Sequence, residues 1–191
     1  MKKLKRNESG IWVMVAVGDE FIHPDANICN SGIGKINAAI AVQHIIDTEQ
    51  PKLIVLMGMA GSSRFKYGQI VNPTSWVQRD MNLTEFMGSK YVVPFSDDDP
   101  ILRYGRRDER YPDAICGSGD GFIRNTTEGI WDCVEMEGFA IAYACREAGV
   151  PFIAYKFISD PASANTQDHE WEASLDEARA ALHGVYENME K

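Results

Sequence analysis

No run of apolar side chains approaches the ~20 residues needed to cross a bilayer. The basic group Lys2, Lys3, Lys5 and Arg6 is not followed by an apolar core and cleavage site of the secretory kind. A cytoplasmic protein with no membrane partner is expected. Basic charge is scarce: 19 Lys and Arg stand against 28 Asp and Glu, for a formal net charge of -9. Such a surface repels phosphate polyanions and argues against nucleic acid as a partner. Cys29, Cys116, Cys133 and Cys145 form no CxxC pair, and His23, His44, His169 and His183 never fall at the spacing of histidine ligands. Neither a zinc site nor a disulfide framework is expected, and no metal or cofactor is implied. Internal repeats, low-complexity tracts and linkers are lacking too. Residues 1–191 therefore read as one domain with a flexible lead over 1–9. A chain of this size can bury about 70% of the surface it exposes when unfolded.

What is present is a set of short, wholly apolar, β-branched runs. IWVMVAV (Ile11 to Val17), Leu53 to Met57 and FIAYKFI (Phe152 to Ile158) read as strands buried on both faces. Between the first two, a short strand at Ile28 to Ser31 leads through Gly32-Ile33-Gly34 into a helix marked by Ile36, Ala39, Ile40, Gln43 and Ile46. This β-α-β rhythm implies helices on both faces of a largely parallel sheet. Ile70 to Asp113 offers one strand, Ile70 to Val77, among long loops. A further helix carries Val134, Phe139, Ile141, Ala142 and Cys145 on its apolar face and ends at Gly149. Ser174 to Glu177 has the pattern of a capping box opening a final amphipathic helix.

The turn SGIGK, Ser31 to Lys35, is not a Walker loop, since Ile36 follows the lysine and Cys29 stands at the first glycine position. Nor is it a dinucleotide fingerprint, because Asn37 occupies the third glycine position. A tight strand-to-helix turn with backbone N–H groups facing a pocket is the plainer reading. The carboxylates say more, because ligands of open α/β sheets bind beyond the carboxyl ends of the strands. Glu20 lies past the first strand, Asp160 past the last, and Glu137 early in the helix of VEMEG. Each alone is compatible with a solvated surface charge. Together they match an acid, a base and a hydroxyl binder.

These segments, SGIGKINAA, MGMAGS, SGDGFI, VEMEGFAIA and PFIAYKFISD, resemble the purine nucleoside phosphorylase and uridine phosphorylase superfamily. Within it they are most similar to the 5'-methylthioadenosine/S-adenosylhomocysteine nucleosidases. The resemblance runs from about Ile11 to Leu182. It implies a single-domain three-layer α/β/α fold with a central mixed β-sheet, truncated after the first strand, and a homodimer, with higher homo-oligomers also known in the superfamily. It implies a small-molecule nucleoside substrate. Asp160 takes the place of the residue that protonates adenine N7, and Ser159 supports it. Glu20 takes the place of the residue that activates water. Glu137 and Met136 match the ribose pair, Phe122 the aromatic stacked on the base, and Ile123 the residue whose backbone reads the base edge. Val17, Met59, Ala60, Gly61 and Lys156 belong to the same implied pocket, and Phe86 matches an aromatic sent into the neighbouring subunit's site.

The chemistry fits these roles. Breaking an N-glycosidic bond puts positive charge on the sugar and negative charge on the base. A free aspartate, with a pKa of about 3.9, is ionised at neutral pH, so the acid of such a reaction has to be buried. The position after FIAYKFI suits that need. The arginines that cradle phosphate in phosphorylases have no counterpart after Gly18-Asp19 or ahead of Gly58, so water is the expected acceptor. A phosphorylase and a non-catalytic nucleoside binder stay as alternatives. Met59 replaces a small polar residue, Lys156 replaces an arginine, and the chain between Glu20 and Ile28 is shorter than in typical members. Residues 161–173, with His169 and Trp171, are longer, and read equally as a lid or as a plain surface loop.

Overall fold

The structure is a computed structural model that describes residues 8–18, 20–92, 99–123, 129–160 and 174–189. In chain order its elements are β1 (Ile11–Val15), β2 (Asn27–Asn30), α1 (Lys35–Glu49), β3 (Leu53–Gly61), β4 (Ile70–Gln78), β5 (Asn82–Leu83) and α2 (Thr84–Met87). There follow β6 (Ser89–Lys90), β7 (Leu102–Arg103), β8 (Asp113–Ser118), β9 (Cys133–Glu135), α3 (Gly138–Ala148), β10 (Phe152–Asp160) and α4 (Leu175–Asn188). Every residue of β1, β3 and β10 is buried. Continuous apolar strands of this kind need cover on both faces.

That cover comes from two layers. Ala38, Val42 and Ile45 of α1 pack with Phe139, Ile141, Ala142 and Cys145 of α3 against one face of the sheet. Ala178, Leu182, Val185 and Tyr186 of α4 pack against Val13, Val55 and Met57 on the other. The expected three-layer α/β/α architecture with a mixed sheet is the one observed. β2, β1, β3 and β10 pair in parallel in that order. β10 runs antiparallel to β4, β4 and β8 are parallel, β8 and β9 are parallel, and β9 returns antiparallel to β3. Because β10 bonds to both β3 and β4, the strands β3, β9, β8, β4 and β10 form a closed circuit. A register shift after Ile158 brings Asp160 opposite Gly61 at one end of it.

Several sequence expectations need correction. The stripe that marked α1 is its packed face only at Ile46: Ile36 is 73% and Ile40 66% exposed, while Ala38, Val42 and Ile45 meet the sheet. The helix is apolar on two sides, and periodicity does not say which side is covered. Val134 belongs to β9, where it pairs with Gly61 and Gly117, and not to α3. The middle third holds β8 and the small pieces β5, β6, β7 and α2 in addition to β4. Ser174 does precede α4, but its side chain makes no capping bond to the helix. Its hydroxyl is buried 3.9 Å from the Met59 sulfur. Of the lead read as flexible over 1–9, residues 1–7 lie outside the described residues, as does the lid or loop at 161–173.

Trp76 of β4 is fully buried, and Gly138, the first residue of α3, gives it room. A Cβ at position 138 would stand 2.0 Å from the indole Cζ3. Gly138→Ala is therefore expected to lower the unfolding free energy by about 1–3 kcal/mol through overpacking. A urea unfolding curve coincident with that of the parent chain would contradict this packing.

Candidate active site

The cavity lies at the end of the strand circuit and measures about 260 Å³. The loop after β1 supplies Ala16, Val17 and Glu20, and the end of β3 supplies Met59, Ala60 and Gly61. Val134, Glu135, Met136 and Glu137 line it from β9 and the entrance to α3, and Ser159 and Asp160 from the end of β10. Phe122 and Ile123 stand at its mouth with Ile33, and Phe122 is exposed. Of the residues singled out in the sequence, only Lys156 and Phe86 are not in the lining. Lys156 is buried directly beneath it, whereas Phe86 is 84% exposed on α2.

Five buried ionisable side chains, Glu20, Glu135, Glu137, Lys156 and Asp160, organise this cavity. Lys156 Nζ lies 3.1 Å from Glu135 Oε2. The same Glu135 oxygen accepts the backbone N–H groups of Glu137 (3.0 Å) and Gly138 (2.8 Å), and the Ser118 hydroxyl donates to Oε1. Ser118 Oγ in turn accepts the Phe139 N–H at 2.7 Å. The first amides of α3, which no intrahelical carbonyl can serve, are thus satisfied by Glu135 and Ser118, and the positive end of the helix dipole faces the cavity. Gly58 lets the β3 backbone pass this cluster. A Cβ there would stand 3.3 Å from both Glu20 Oε2 and Lys156 Nζ.

Electrostatics separates the carboxyls. Burial alone would raise Glu135, but Lys156, the Ser118 hydroxyl and two amides hold it below the ordinary carboxylate range. Burial would lower Lys156, but Glu135, Glu137 and Glu20 together hold its ammonium above the usual value. Glu137 is pushed up from 4.5 to about 7 by burial and by repulsion from Glu135, against the pull of Lys156 and of the Gly34 N–H. That N–H donates to Glu137 Oε1 at 2.8 Å. The glycine turn read as facing a pocket therefore does so, with Gly34 at φ 93°, a conformation suited to glycine. Glu20 is raised by burial, opposed by Lys156 and by backbone amides that include Val17, whose N–H lies 3.2 Å from Oε2. Asp160 is buried, and the Ser159 hydroxyl donates to its Oδ2 at 3.0 Å.

Two charged lining residues were not singled out in the sequence. Glu135 is part of VEMEG, yet its role as an ion-pair partner appears only when β9 and β10 are brought together. Arg79, just past β4, lay in the stretch read as loops. Its guanidinium donates to the carbonyls of Gly119 (3.1 Å) and Gly121, beneath the segment that carries Phe122. Its strand-end position was the available signal.

A cavity at the carboxyl ends of parallel strands, lined by carboxylates and closed by an aromatic, defines a small-molecule site of the α/β kind. The family model of the phosphorylase superfamily matches residues 23–189, and the chain belongs to that family. Among curated relatives, a 5'-methylthioadenosine/S-adenosylhomocysteine nucleosidase of Buchnera aphidicola is 32% identical over 166 residues, covering 76% of this chain and 72% of the relative. One from Exiguobacterium is 34% identical over 172 residues, covering 78% and 71%. Among solved structures, a futalosine hydrolase mutant of Helicobacter pylori superposes with a TM-score of 0.79 at 18% identity, covering 94% of this chain and 99% of that one. The methylthioadenosine/S-adenosylhomocysteine nucleosidase of the same organism, solved with butyl-thio-DADMe-Immucillin-A, has a TM-score of 0.79 at 18% identity, covering 94% and 98%. At that identity the likeness is one of fold.

The raised Glu137 carboxyl makes stability depend on pH. Its folded pKa of about 7 exceeds the unfolded value of 4.5, so its contribution is complete below the unfolded value and is lost as pH rises through 7. Glu137→Gln is expected to flatten this slope, matching the parent near pH 4 and exceeding it by up to about 3 kcal/mol at pH 8. Urea unfolding of both chains at the two pH values measures it, and parallel profiles would refute it.

Proposed function

We propose that the protein is a purine nucleosidase that hydrolyses the N-glycosidic bond of an adenine nucleoside of the methylthioadenosine or S-adenosylhomocysteine type. The observation that carries this reading is the convergence of Glu20, Glu137 and Asp160, from three different elements, on one cavity with an aromatic at its mouth. The names of the curated relatives supply the substrate class.

In this reading the base stacks on Phe122, its edge meets the backbone of Ile123, and its N7 faces Asp160. As the bond to the sugar breaks, the electron pair stays with the base and Asp160 donates a proton to N7. Positive charge grows on the ribose, whose hydroxyls are held by Glu137 beside Met136. Two donating hydroxyls favour the ionised carboxylate, so substrate draws Glu137 to its charged form. Glu20 takes a proton from the water that attacks the sugar. Its burial strengthens it as a base, while Lys156 and the surrounding amides favour its ionised state. Val17, Met59, Ala60 and Gly61 shape the rest of the pocket.

A phosphorylase is the second reading, and Arg79 in the lining is the observation that favours it. Against it, that guanidinium is engaged with two carbonyls, and the neighbouring carboxylates would repel a phosphate dianion. We further propose that the chain works as a single domain, in the cytoplasm, and as a homodimer. No helix among the described residues is long and apolar enough to cross a membrane. Ile36 and Ile40 of α1 and Phe86 of α2 are exposed apolar side chains that a second copy would cover, and sedimentation showing only monomer would remove the dimer.

Incubation with methylthioadenosine, S-adenosylhomocysteine, adenosine and inosine in phosphate-free buffer, followed by chromatography, is expected to release adenine at a rate that added phosphate leaves unchanged. Release that requires phosphate would establish the second reading, and no release from any of the four would remove both. Asp160→Asn is expected to lower turnover by about 10²–10⁴-fold while nucleoside binding stays measurable. A near-parental rate would end the general-acid assignment.

A further inference from the structure

A second cluster of chemically competent side chains lies outside the cavity, where the loop after Glu20 meets α4. His183 and Glu187 stand four residues apart on one face of α4, and His23 reaches them from the loop. One ligand atom from each, an imidazole nitrogen or a carboxylate oxygen, lies within 4.8 Å of the other two. His23 is only 7% exposed, and its ring is held in place by Phe21 (6.3 Å, 7°), Tyr186 (4.7 Å) and His183 (4.7 Å). Its Nε2 is 2.5 Å from Glu187 Oε1, and Glu187 is 53% exposed, which leaves the cluster open to solvent on one side.

We propose that His23, His183 and Glu187 form a binding site for a divalent transition metal of the zinc class. Two imidazoles and one carboxylate are a donor set that zinc takes, with a fourth position left for water, whereas calcium and magnesium prefer oxygen donors throughout. Bonds of about 2.0–2.2 Å in a tetrahedron set ligand atoms roughly 3.3 Å apart. The His23–Glu187 pair has to open and His183 to close in, both by side-chain rotation. At present the Asp25 N–H donates to His23 Nδ1 at 3.1 Å, which leaves the ring proton on Nε2, facing Glu187. The metal displaces that proton from Nε2, and Nδ1 gives up the Asp25 amide to carry one instead. Histidine spacing could not reveal this cluster, since one ligand is a carboxylate and 164 residues separate it from His23. A bound ion would fasten the loop that carries Glu20 to α4.

Calorimetric titration of zinc chloride into the metal-free chain of residues 1–191 tests the site without reference to any activity. The expected result is saturable binding of one Zn²⁺ per chain, and visible absorption bands of low-symmetry coordination when Co²⁺ is used. His183→Ala and Glu187→Gln, both on the outer side of α4, are each expected to weaken binding at least about tenfold. His44→Ala, on the exposed side of α1, is expected to leave it unchanged. The absence of saturable binding, or equal affinity in the parent and both α4 variants, would overturn the proposal.

Discussion

A single buried ion pair, Lys156 with Glu135, sets the terms for everything around the cavity. Two charges taken out of water are costly unless their remaining hydrogen-bonding capacity is filled. Here Glu135 is filled by Ser118 and by the first amides of α3, while Lys156 is surrounded by three carboxylates. The pair thereby joins β9, β10, β8 and the start of α3 at one point. It also distributes charge unequally among the acids. Glu135, nearest the ammonium, stays ionised, and Glu137, two residues on with one amide donor, is left near 7. Two glutamates of one short motif become chemically different groups because of what each faces.

The strand circuit explains why those groups meet. β10 is bonded along nearly its whole length to β3 and at Lys156 and Phe157 to β4, so its last residue is fixed against Gly61. Glu20 arrives from the loop after β1, which is anchored through the buried Phe21 packed on Tyr186 of α4. Asp160, Glu20 and Glu137 therefore sit on separate supports. The turn at Gly34 links a fourth element by donating to Glu137.

Much of this was legible in the sequence, for a physical reason. IWVMV, LIVLMGMAG and FIAYKFISD are buried at every position, so the strand signal needs no knowledge of which side faces the core. DAICGS was missed as a strand because its small and polar residues carry little β-branched signal. On α1 the exposed Ile36 and Ile40 look the same in sequence as the packed Val42 and Ile45. The acids at strand ends could be singled out by position, yet their unequal charge states could not. Those depend on Lys156 lying beneath them, a fact of pairing between distant strands. The His23, His183 and Glu187 cluster has no local pattern, and only the packing of α4 against the loop after β1 brings it together.

The closed circuit also bears on how the chain behaves among its copies. A sheet strand with unpaired N–H and C=O groups is a template for strand addition, and proteins blunt such edges. Among the described residues, the large sheet ends at β2, four residues long, and at β7, two residues long beside β4. The long strands β3, β4 and β10 have neighbours on both sides. The apolar strands β3 and β10 thus lie inside the sheet, and short strands stand at its ends.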